Sequence, residues 1–99
     1  MTDDVLLKRP TLRKRVGFRR MFDEGVALVA ETSKVNVLNE SGSRFLELAD
    51  GTRTTGQILE LLVDEYASSP EEIRRDVLAF VEKAAEAGLI ELREGPREP

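Results

Sequence analysis

The 99-residue sequence contains no cysteine and no histidine. Without cysteine there is no disulfide and no thiol chemistry, which suits a reducing compartment. Without either residue the ligands of zinc, haem and iron–sulfur centres are missing, and only carboxylate-bound hard cations stay open. Aromatic residues are few, at 5%. No apolar run approaches the roughly 18–20 residues that span a bilayer. The amino terminus, Met1-Thr2-Asp3-Asp4, is acidic and lacks the apolar core of a signal peptide. These absences together predict a cytoplasmic protein with no cofactor, no metal and no membrane partner. A chain of this length holds one modest core, with stability on the order of 5–10 kcal/mol.

Charge is present but unevenly divided. Lys8, Arg9, Arg13, Lys14, Arg15, Arg19 and Arg20 fall within residues 8–20 with no acid among them, whereas acids predominate from Val35 onward. The split predicts a positive face on a negative body, or a charged guard on an exposed edge strand.

The stretch at residues 34–62 organises the chain. Lys34 to Leu38 alternates and carries Val35 and Val37, a strand pattern. Asn39 stands where a helix begins and suits its cap. Phe45, Leu46, Leu48 and Ala49 form the apolar face of a short helix, which Asp50-Gly51 ends. Thr54 and Gln57 read as a capping box opening a second helix over residues 55–67. Ser69, Pro70 and Glu72 start a third, over residues 70–87, with Gly88 as its stop.

Ahead of that stretch, Leu12, Val16, Phe18 and Phe22 occupy even positions and Arg13, Arg15 and Arg19 odd ones, the period of a strand. Gly17 suggests a bulge, so that pairing is expected only over residues 18–22. Asp23-Glu24-Gly25 reads as a hairpin connection, and Val26, Leu28 and Ala30 define one face of the next strand. Glu31-Thr32-Ser33 then leads back to Lys34. The fold class expected is α+β: a three-stranded antiparallel meander followed by three helices, winged helix-turn-helix-like. Residues 1–11 read as a flexible arm, 12–92 as a single domain and 93–99 as a frayed tail.

The third helix is unusual in one respect. Ile73, Val77, Phe80 and Ala84 make a core stripe, yet Leu78, Val81 and Ala85 widen the apolar arc to ~160°, more than one core contact requires. The surplus needs another partner, for which Leu92, a second copy of the chain or a guest molecule all qualify.

Catalysis finds no support. The serines sit in caps without a base, and adjacent acids such as Glu71/Glu72 and Asp64/Glu65 diverge on a helix. A winged-helix DNA-binding regulator is the alternative architecture-based reading. Glu60, Asp64, Glu65, Glu71 and Glu72 would face the phosphates there, which argues against nucleic acid.

The ordered set Val37-Leu38-Asn39, Ser41-Gly42, Asp50-Gly51, Thr54 and Ile58 resembles the PqqD family, peptide chaperones also called RiPP recognition elements. Asp76-Val77, Phe80-Val81 and Gly88-Leu89-Ile90 extend the likeness to about residues 18–92. The resemblance implies a non-catalytic domain that captures the leader of a ribosomally made precursor peptide by strand addition. The guest would lie between the third strand and the third helix. Carried onto this sequence, the site is Lys34, Val35, Asn36, Val37 and Leu38 on the strand, and Arg74, Val77, Leu78, Val81 and Ala85 on the helix. Leu78 and Val81 would receive apolar anchors, while Arg74, Arg75 and Lys34 would pair with peptide carboxylates. The resemblance further implies delivery to a peptide-modifying enzyme, often a radical S-adenosylmethionine enzyme, as in PQQ biosynthesis. The family occurs both free-standing and fused, and the chain's ends favour the free-standing form. A homodimer through the open edge is a further expectation.

Overall fold

The computed structural model describes residues 2–67 and 69–94, with the backbone alone for residues 2–4. Helix α1 (Thr2–Leu7) and strand β1 (Arg9–Leu12) precede the meander of β2 (Val16–Met21), β3 (Glu24–Val29) and β4 (Lys34–Leu38). Helices α2 (Glu40–Leu48), α3 (Thr55–Glu65) and α4 (Pro70–Glu86) follow, and β5 (Ile90–Arg93) closes the described chain. The α+β class and the order of meander then helices are as the sequence indicates.

The meander is antiparallel in the order β2-β3-β4, so β2 and β4 are its two edges. Val16 pairs with Val29 and Phe18 with Ala27 without interruption, so Gly17 lies opposite Leu28 in a regular ladder and makes no bulge. The first hairpin turns one residue earlier than the sequence pattern suggests. Met21 pairs with Glu24, leaving Phe22 and Asp23 as the turn. Phe22, expected on the core face, is therefore at the hairpin tip, 97% exposed, with φ +57°. That left-handed conformation costs an L-residue roughly 1–2 kcal/mol. Glu24 and Gly25 belong to β3, and a Cβ at Gly25 would collide with the Ser43 side chain of α2. The absence of a side chain at Gly25 is thus what lets α2 lie against the sheet.

The helix signals work largely as read. The Asn39 side chain accepts from the Gly42 N–H at 2.9 Å. Thr54 and Gln57 form the reciprocal box, at 2.9 and 3.1 Å. Ser69 accepts from the Glu72 N–H at 3.2 Å. Gly51 and Gly88 take positive φ, 87° and 79°, where the chain leaves a turn or a helix. Phe45, Leu46, Ile58, Leu62, Val77, Val81 and Ile90 form the centre of the core. A three-way ion-pair chain fastens its outside: Arg20 reaches Glu47 at 3.0 Å, and Arg44 reaches Glu47 at 3.2 Å and Glu65 at 2.9 Å.

The arm proposed for residues 1–11 is a correction. Residues 2–7 are helical and Arg9–Leu12 pairs antiparallel with β5, Arg9 opposite Arg93 and Leu12 opposite Ile90. The Lys8 carbonyl accepts from the Thr55 N–H at 2.8 Å and the Pro10 carbonyl from the Gly51 N–H at 3.0 Å. Pro10 tolerates the strand because a two-stranded ribbon is all edge. Leu12 thus belongs to this ribbon and not to the meander. Arg93, assigned to the tail, is the last residue of β5, while Met1, Ser68 and residues 95–99 lie outside the described residues.

Candidate functional site

Along β4 the side chains alternate across the sheet. Leu38 is buried and Asn36 half-buried on the helix side, whereas Val35 and Val37 point outward, 63% and 71% exposed. The free edge of β4 opens onto a groove whose far wall is α4. Asn36, Val37, Leu38, Asn39, Phe80, Lys83, Ala84, Ala87 and Leu89 line a cleft of about 400 Å³. Beyond Asn39 a second cleft of about 340 Å³ continues the line, bordered by Glu40, Ser41, Tyr66, Ile73, Asp76 and Val77. On α4 the groove face therefore runs Asp76, Phe80, Lys83 and Ala87, at successive spacings of four, three and four residues.

Phe80 is the aromatic of this wall and its position is fixed from behind. Its ring meets Phe45 edge-on at a centroid distance of 5.5 Å. On the other side it lies so near Gly42 that a Cβ there would come within 3.0 Å of the ring. The glycine in the first turn of α2 thus makes room for the aromatic of α4. The Asn36 amide nitrogen is shielded from water and has no hydrogen-bond partner among the described residues. An unsatisfied buried donor costs about 1–3 kcal/mol. Charge is graded along the groove, with Lys83 at one end and Asp76 and Glu40 at the other. At the acidic end, burial raises the pKa of the Tyr66 hydroxyl, which keeps its proton at neutral pH.

The sequence-derived wall is only partly assembled here. Asn36, Val37 and Leu38 line the groove, and Val77 borders its continuation while lying in the core. Val81 is 1% exposed and is a core residue. Leu78, Val81 and Ala85 border a different cleft, under Val5 of α1 and Leu92 of β5. Arg74 lines a third, between α3 and α4. Arg75 is exposed and lines none of these clefts, and Lys34 and Val35 are exposed on β4 without lining the groove. The surplus apolar arc is covered in part by the chain's own α1 and β5, which is why that flank does not face β4. Phe80, Lys83, Ala84 and Ala87 take its place. Gly42 was the available sign, since a glycine just after a helix cap marks a close approach.

The profile described as Coenzyme PQQ synthesis protein D (PqqD) matches residues 24–90. The chain belongs to the PqqD family. A "PqqA binding protein" of Stutzerimonas stutzeri (strain A1501) is 35% identical over 95 residues, covering 94% of this chain and 100% of that relative. Another of that name, from Rhodopseudomonas palustris (strain TIE-1), is 33% identical, over 87% of this chain and 85% of the relative. Among solved structures, TbiB1 in complex with the TbiA(beta) leader peptide superposes with a TM-score of 0.72 at 25% identity, over 82% of this chain and 94% of that one. The PqqD truncation of Methylobacterium extorquens PqqCD, a stand-alone RiPP recognition element, gives 0.67 at 27% identity, over 83% and 87%. Among the described residues no helix is long and apolar enough to cross a membrane.

Proposed function

We propose that this PqqD-family domain is a non-catalytic carrier that captures the leader segment of a ribosomally made precursor peptide as a fourth strand on β4. It hands the bound peptide to a modifying enzyme of the radical S-adenosylmethionine class. The observation that carries the reading is the unpaired β4 edge opening directly onto the α4 groove, with the Asn36 amide left unsatisfied inside it. Strand addition supplies backbone hydrogen bonds of any sequence, and the wall beside it selects side chains. Phe80 and Ala84 offer contact for apolar residues of the guest. Lys83 at one end, with Asp76 and Glu40 at the other, favours a peptide of opposite polarity and so one direction of binding. Relatives named for binding PqqA and a fold neighbour solved with a leader peptide support the same assignment.

Titrating the isotopically labelled domain with the leader segment of PqqA, the peptide for which its relatives are named, tests this. The expected result is a dissociation constant of about 1 μM or tighter, with amide shifts concentrated on β4 and on the Asp76–Ala87 face of α4. Shifts confined to β2, or to the Leu78–Ala85 flank, would refute the site.

A further inference from the structure

The side of the meander turned away from the helices is apolar where a free surface is expected to be polar. Val26, Leu28, Val35 and Val37 stand together there, since Val26 pairs with Val37 and Leu28 with Val35 across the ladder. Leu28, Val35 and Val37 are all exposed, as is Met21 on the same face. Phe22 prolongs the patch at the hairpin tip in a backbone conformation that glycine or asparagine would adopt more readily. An exposed aromatic in an unfavourable conformation is hard to explain by folding alone. Beside this strip Arg19 lies on the same face of β2, and Arg15 stands in the turn just before that strand. Neither has a carboxylate partner among the described residues, whereas Arg20, Arg44 and Arg53 are all paired. Glu24 is the acid on this face.

We infer that the outer face of the meander is a docking surface for a second protein, one presenting an aliphatic strip flanked by carboxylates. A second copy of this chain brings the same surplus of cations and does not neutralise it, and an acidic partner does. The location has a consequence that rests on the peptide-addition reading. A guest strand on β4 lengthens this same face, with alternate guest side chains beside Val35 and Val37. The docked protein then touches carrier and guest at once, and we assign it as the enzyme that receives the peptide.

The test uses the full chain, a purified radical S-adenosylmethionine enzyme that acts on the same peptide, and the synthetic leader as separate probes. Leu28→Lys, Phe22→Asn and Arg19→Glu all lie outside the groove. Titration calorimetry is expected to show affinity for the enzyme falling about tenfold in Leu28→Lys, and by less in the other two. Its salt dependence is expected to weaken in Arg19→Glu. Leader affinity is expected to stay within about twofold, and circular dichroism to report an unchanged fold. Enzyme affinity unaltered in all three folded variants, or no enzyme binding by the unmodified chain, overturns the surface. So does a dimer of the unmodified chain that Leu28→Lys dissociates, since the occupant is then a second copy. Loss of leader binding with enzyme binding intact removes the peptide-addition reading and leaves this surface standing.

Discussion

The two edges of the meander are built differently. β2 carries Arg15 just before it and Arg19 and Arg20 within it, and cations on an exposed edge discourage pairing with another chain. β4 reads Lys34-Val35-Asn36-Val37-Leu38, with its one charge at the first position, and its flank is the α4 groove. One margin of the same sheet is guarded and the other is left available. Edge chemistry thus decides where a guest backbone can join, while the helices behind decide which guest fits.

The largest expected effect removes both edges together. Val81→Asp buries a carboxylate in the core, and the domain is expected to unfold, with a loss of several kcal/mol visible in a denaturant melt. This differs from what a wall residue would give, and retention of fold with weakened leader binding would return Val81 to the wall. Next, Asn36→Lys places on β4 the kind of guard that β2 has. Leader affinity is expected to fall about tenfold, or ~1.4 kcal/mol, with the melting temperature little changed. Gly42→Ala acts on the wall indirectly by pressing on the Phe80 ring. A stability loss of about 1 kcal/mol and a severalfold weaker leader complex are expected, measured by melt and calorimetry.

The smallest effect sharpens the contrast from the guarded side. Arg44 donates to both Glu65 oxygens at 2.9 Å, and this hydrogen bonding holds the Glu65 carboxyl below the usual carboxylate range. A depressed folded pKa means stability that is present above the unfolded pKa and lost as pH falls through the folded one. Arg44→Met is therefore expected to cost about 1 kcal/mol or less near neutrality, with the difference shrinking in acid. Leader affinity is expected to be unaffected, because the pair lies between α2 and α3 and outside the groove.

The meander, the three helices and their caps were legible because their signals are local. Asn39, Thr54 with Gln57, Ser69, Gly51 and Gly88 each state a boundary within a few residues. The β1–β5 ribbon was not. Its partners, such as Arg9 and Arg93, are distant in sequence, and strands of four residues carry too little alternation to be distinguished from a tail. That omission spread to the site. With α1 and β5 unseen, nothing indicated that Leu78 and Ala85 border a cleft under Val5 and Leu92 and not the one beside β4. Strand β4 needed no such knowledge, and Asn36 to Leu38 do line the groove beside α4. Phe22 was lost to a one-residue shift, since the turn centre fixes which parity faces inward.

The pairing of Arg9 with Arg93 brings the start of β1 and the end of β5 to one spot. A domain fused after β5 would therefore start beside the α1–β1 junction, whereas one fused before α1 would start at the far end of that six-residue helix, about 9 Å along it. The order of the two parts in a fusion would thus change where the linked domain stands relative to the sheet.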